Sequence, residues 1–141
     1  MSDGNSDRRR SGESRARLRT RHAYERVSSW PSTSRAGAVQ RAKSLPVEVR
    51  TLGITTAVAN LAREDTPQAH ALINGLAAWI LDDAAGLPPQ QTGTVSATTR
   101  DLLDICVKAD RATYRAVQAE SLAYLEQVKL LADALYGQEV K

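Results

Sequence analysis

The 141 residues carry 19 Lys+Arg against 16 Asp+Glu, a formal net charge of +3, with 42% hydrophobic and 25% charged residues. That length supports one domain with a single core, and the composition is that of a globular chain rather than a disordered or fibrous one. No apolar run approaches the ~20 residues of a membrane-crossing helix, the arginine-rich start lacks an apolar secretory segment, and the single Cys106 excludes an internal disulfide. A cytoplasmic protein with no membrane partner is expected.

The charge is unevenly placed. Residues 1–50 hold 12 Lys+Arg and 5 Asp+Glu, whereas residues 51–141 hold 7 and 11. The front is therefore basic and the back mildly acidic. Arginine supplies 15 of the cations and lysine 4, a bias that suits forked contacts to phosphate. Four Tyr, two Trp and no Phe leave the core to aliphatic side chains and alanine, and the wealth of Ala and Leu predicts an all-α fold.

In chain order, residues 1–13 have no apolar residue after Met1 and cannot offset their ordering entropy, so a disordered basic tail is expected there. Residues 14–141 then form a single α-helical domain. The first helix is expected over Ser14 to Trp30, with Leu18, Val27 and Trp30, and Ala23 and Tyr24 between them, as a rough apolar stripe among five arginines. Pro31 and the following hydroxyl residues make a loop, and a second helix starts near Ser34 with Val39, Ala42 and Leu45 inward.

The stretch Leu45 to Leu61 is the least charged part of the first half. Pro46 should start or kink a helix there, and Gly53 should stop one and begin another. Two short apolar helices are thus expected to turn Val49, Leu52, Val58 and Leu61 toward the last helix. Thr66 with Pro67 reads as an N-cap followed by proline at the first helical position, opening a helix with Ala69, Leu72, Ile73, Leu76 and Ile80 inward. Gly86, Pro88 and Pro89 end it, and residues 87–96 form one long loop. Thr98 and Asp101 resemble a capping box for a helix with Leu102, Ile105, Cys106 and Ala109 inward. The longest helix runs from Asp110 to Tyr136 with a heptad-like seam at 114, 117, 121, 124, 128, 131 and 135. The expected architecture is a compact all-α bundle of about six helices with a long C-terminal helix.

Catalytic signals are sparse. Two histidines and one cysteine stand at no metal-ligand spacing, and no glycine-rich phosphate loop, nucleophile elbow or paired-carboxylate motif occurs. No cofactor, metal or catalytic residue is therefore assigned, and a non-enzymatic protein is expected. Cys106 reads as core, where a buried thiol is inert. Arg63 and His70 match an arginine–six residues–histidine pattern found in one class of helical ribonucleases, which is the enzymatic alternative, although Thr66 and Pro67 break the helix between them.

Basic surface is the remaining signal. Arg15, Arg19, Arg41, Lys43 and Arg50 are the first candidates for phosphate contact. On the last helix, at ~100° per residue, Arg111, Arg115 and Lys129 fall within roughly 40° of one another, sharing their face with Glu126 and Asp133. Such a patch would hold a nucleic-acid backbone by charge and shape, without reading bases.

The order of motifs is more specific than any one of them. His22-Ala-Tyr-Glu-Arg-Val27 comes first, followed by Ala42 through Ala59, the Ala69-His-Ala-Leu72 helix, and Tyr114 with Glu120 through Leu135. Together, over about residues 20–137, they resemble the small α-helical subunit of the Cmr complex, the type III-B CRISPR RNA-guided effector. Ile54 after Gly53 departs from the leucine that the family often has. The resemblance implies a non-catalytic subunit in antiviral defence, with copies stacked head to tail into an inner filament along the guide RNA–target RNA duplex. Its partners would be the large polymerase-like subunit, the backbone subunits (one of which cuts RNA), copies of itself, and guide and target RNA. The small subunit of the sister type III-A complex is the related alternative.

Overall fold

The structure, a computed structural model, describes residues 14–82, 85–87 and 99–138. The expected tail at 1–13, nearly all of the expected loop and the Thr98 cap lie outside them. Six helices follow one another, and among the described residues there is no strand. They are α1 (Arg15–Ser28), α2 (Ser32–Leu52), α3 (Ile54–Glu64), α4 (Pro67–Ile80), α5 (Thr99–Lys108) and α6 (Arg111–Tyr136).

Local chemistry sets several helix starts. Ser14 Oγ accepts from the Arg17 N–H at 3.2 Å, Thr66 Oγ1 from the Ala69 N–H at 3.1 Å, and Asp110 Oδ1 from the Thr113 N–H at 2.8 Å. Each satisfies a donor that a helix N-terminus leaves open, and Pro67 at the first position of α4 has no N–H to satisfy.

The α2–α3 junction is made differently. Gly53 takes φ +88°, a region that side chains disfavour, and lets the chain turn within one residue. It offers no side-chain cap, so α6 supplies one. Gln118 Oε1 accepts from the Ile54 N–H at 2.8 Å, while its Nε2 donates to the Val49 carbonyl at 3.1 Å. One amide thus closes the end of α2 and the start of α3. Pro46 does not start or stop a helix: α2 runs through it from Ser32 to Leu52. The proline side chain is buried beside Leu45 and Val49, and the interrupted hydrogen bond is tolerated within a helix held by packing.

The long helix α6 lies chiefly between α2 and α1, with α4 on its inner side, while α3 packs on α2, α4 and α5 and only grazes α6. Val49, Val58 and Leu61 are buried as expected, but Leu52 is 48% exposed, and Val58 and Leu61 lie on the helix that only grazes α6. The seam of α6 also shifts. Its buried positions are Val117, Glu120, Ser121, Tyr124, Leu125, Val128, Ala132 and Tyr136, so Ala132 and Tyr136 take the places expected for Leu131 and Leu135. A straight helix of 3.6 residues per turn drifts ~20° per heptad against a 3.5 repeat, enough to move the seam by about one position over this length.

Aliphatic residues and alanine fill most of the core, yet its largest fully buried side chains are Trp79 and Tyr124, stacked at 6.1 Å between ring centroids and 10° between planes. A second stack, Trp30 on Tyr136 at 6.4 Å, pins the end of α6 to the α1–α2 corner. Tyr136 Oη donates to the Val27 carbonyl at 2.9 Å, and the Arg35 guanidinium sits 4.3 Å above the Tyr136 ring.

Candidate nucleic-acid interface

The eight cations singled out in the sequence fall into two groups once the helices are assembled. Arg19 belongs to the interior. Its guanidinium donates through Nε at 2.6 Å and Nη2 at 3.1 Å to the two carboxylate oxygens of Glu120, which is 5% exposed. The Trp79 indole N–H donates to the same carboxylate at 2.9 Å, and Arg15 approaches it at 3.8 Å from the more exposed side. Beside this cluster His22 Nδ1 and Tyr124 Oη lie 3.0 Å apart. Burial is the main cause that pushes the His22 pKa below its ordinary value, and burial likewise raises that of Tyr124.

Arg41 is a clasp. It reaches Glu48 at 2.5 and 3.0 Å on its own helix and Glu64 at 2.8 Å at the end of α3, tying the two helices together. The two carboxylates hold it firmly charged, Glu48 foremost. Arg50 is half-exposed and forms an ion pair across to Glu126 of α6.

Lys43, Arg111, Arg115 and Lys129 are the second group. None has a carboxylate partner among the described residues. Lys43 and Lys129 line one groove over α6 with Glu126, Gln127, Leu130 and Asp133. Arg115 and Arg50 line a neighbouring groove with Gly53, Tyr114 and Gln118 at the α2–α3 junction. Arg111 lies one turn N-terminal to Arg115 on the same face of α6. The assembled α2–α6 surface therefore joins four of the expected cations and the edge of a fifth, Arg50. Arg15, Arg19 and Arg41 are drawn to carboxylates elsewhere. For Arg15 and Arg19 nothing nearby in the chain signals this, because Glu120 lies far away in sequence; for Arg41 only Glu48, two turns on along the same helix, is near.

Tyr24, expected in the apolar stripe of the first helix, is instead 49% exposed, because α1 turns Ala23 and Val27 into the core, and it forms an exposed stripe on α1 with Arg17 and Arg21, which were not among the candidate contacts. The signal that could have found them is their i, i+4, i+7 spacing. His70 Nε2 stands 2.8 Å from Asp65 Oδ1, at the turn where Asp65 takes φ 50° and separates α3 from α4. Arg63 lies at the end of α3, before that turn. Cys106 is buried, and burial raises its thiol pKa. Among the described residues no His, Cys, Asp and Glu group could hold a metal ion, and no helix is long and apolar enough to cross a membrane.

The comparisons with known proteins agree with this helical arrangement. The family model for CRISPR-associated protein (Cas_Cmr5) matches residues 15–135. A solved crystal structure of a CRISPR-associated Cmr5 family protein from Thermus thermophilus is similar with a TM-score of 0.72 and 26% sequence identity, covering 87% of this chain and 97% of that one. No curated protein matches the chain. The family match over nearly all of the helical domain is what the order of motifs implied, and the chain belongs to the Cmr5 family of CRISPR-associated proteins.

Proposed function

We propose that this chain is the non-catalytic small subunit of a type III-B Cmr ribonucleoprotein, supporting guide and target RNA through its α2–α6 face. The observation that carries the proposal is the sorting of cations: Lys43, Arg111, Arg115 and Lys129 have no carboxylate partner among the described residues and share one face. An unneutralised cation beside another raises the local potential and favours a polyanion, whose condensed counterions are released on binding. Glu126 and Asp133 on the same surface moderate the field, which suits support of a backbone rather than tight independent capture.

Copies of the chain stack head to tail in this reading, a heterologous contact that needs two complementary surfaces on one molecule. The large polymerase-like subunit and the backbone subunits flank the stack, and RNA cutting belongs to a backbone subunit. His70 engages Asp65 rather than an assembled acid–base pair, which weighs against the ribonuclease alternative.

The test is salt-dependent binding of a fluorescent guide–target RNA duplex, followed by anisotropy. Replacing Lys43, Arg115 and Lys129 together by glutamine should weaken binding uniformly across RNA sequences. The slope of log K against log salt should become shallower by about 2–3, at roughly 0.7–0.9 per phosphate contact. An unchanged slope in a variant with the wild-type melting curve would remove the α2–α6 face from RNA contact.

A further inference from the structure

We propose that α1 carries a separate contact for an unpaired nucleic-acid strand, built from Arg17 and Tyr24, with a base stacked on the Tyr24 ring. The proposal rests on the RNA reading above and adds the strand state that this second surface recognises.

At 100° per residue Arg17, Arg21, Tyr24 and Ser28 fall within roughly 60° of one another, and all four are exposed. Ala16, Glu25 and Arg26 are exposed as well, while another part of α1 packs inward. Ala23 and Val27 are in the core, Arg19 holds Glu120, Thr20 Oγ1 donates to Gln127 on α6 at 3.1 Å, and His22 meets Tyr124. Arg17 and Tyr24 take no part in that packing.

Tyr24 is unusual among the aromatic side chains. Trp30, Trp79, Tyr124 and Tyr136 are buried, and Tyr114 is half-buried against Gly53, whereas Tyr24 is 49% exposed. The helix α1 holds five arginines and one acid, Glu25, although Arg15 and Arg19 are turned to Glu120. An exposed ring on an arginine-rich helix fits a polyanion that also presents flat apolar faces. Single-stranded nucleic acid has both features, whereas a duplex hides its base faces within its own stack. An acidic peptide would use the arginines and leave the ring idle. About 10 Å of helix separates Arg17 from Tyr24, so phosphate and base contacts can be made along one strand.

The experiment compares a fluorescent oligouridine single strand with an RNA duplex of equal length, using the full chain and anisotropy. Tyr24→Ala should weaken single-strand binding about 5- to 100-fold while leaving duplex binding within about twofold. Tyr24→Phe should retain the single-strand affinity, and Arg17→Gln should make its salt slope shallower by about 0.7. Wild-type single-strand affinity in Tyr24→Ala, or an equal loss on both ligands, would overturn the proposal. So would polyglutamate that displaces the strand with no dependence on Tyr24. If duplex binding still depends on Lys43, Arg115 and Lys129, such a failure is confined to α1. If the wild-type chain binds neither RNA, the proposed function fails with it.

Discussion

Glu120 is the residue whose replacement reports most directly on how this bundle is held. Its carboxylate is 5% exposed and receives two hydrogen bonds from Arg19, one from Trp79 and a longer approach from Arg15. Glu120→Ala would strand a largely buried guanidinium and an indole N–H in the α1–α4–α6 interior. Breaking a buried pair by removing one partner costs about 3–5 kcal/mol. Arg19 keeps 18% of its side-chain surface, so water can reach part of it and the lower end applies, about 3 kcal/mol. With a urea m-value of about 1.5–2 kcal/mol/M for a domain of this size, the unfolding midpoint should fall by about 1.5–2 M, and the melting temperature by about 10 °C. Urea titration followed by far-UV circular dichroism measures it, with Trp79 fluorescence as a local probe. The double variant Arg19→Met/Glu120→Leu should regain most of the loss, since an apolar pair leaves no buried charge. A loss under about 1 kcal/mol for Glu120→Ala, or a double variant no better than the single, would refute this account.

Two further outcomes follow from the junction and from the cluster beside Glu120. Gly53→Ala should cost about 1–2 kcal/mol, because φ +88° strains any side chain and the new methyl would meet Tyr114 Oη at 3.1 Å; an unchanged urea midpoint would show that the α2–α3 turn relaxes freely. Burial lowers the His22 pKa in the folded state, with Arg26 adding to that and Asp82 and Glu25 opposing it. The unfolded chain therefore takes up the proton first as pH falls below about 6.5, so stability should be full above that value and decline toward the lower folded pKa. Urea midpoints between about pH 7.5 and 5.5 should show this decline in the wild type and a flatter profile in His22→Gln; identical profiles would assign the effect to another group.

Much of the fold was legible because its signals are local. Ser14, Thr66 with Pro67, and Asp110 begin their helices as hydroxyl and carboxylate caps do in any context, and Gly53 ends α2 because its positive φ is available to glycine at low cost. Of the two readings of Pro46, a helix start is excluded, because the packing around it carries the helix through the proline. Leu52 misled because it sits in the last turn of α2, where the helix runs out from under its neighbours. On α6 the seam was right through Val128 and displaced beyond it, since a seven-residue template ignores the drift of a straight helix.

The candidate interface was less legible. A sequence displays which residues are cations but not which are already neutralised, and pairing here spans long intervals: Arg19 to Glu120, Arg41 to Glu64, Arg50 to Glu126. The same blindness put Tyr24 in the apolar stripe of the first helix, whereas its exposure depends on how α1 rolls against α4 and α6. The sequence by itself determined the all-helical class, the Thr66–Pro67 helix start, the central Gly53 turn and the family, because these depend on neighbours within a few residues or on the order of motifs. Only the tertiary structure decided which arginines are structural and which face outward, because charge neutralisation and burial are set by contacts between helices that the chain brings together from opposite ends.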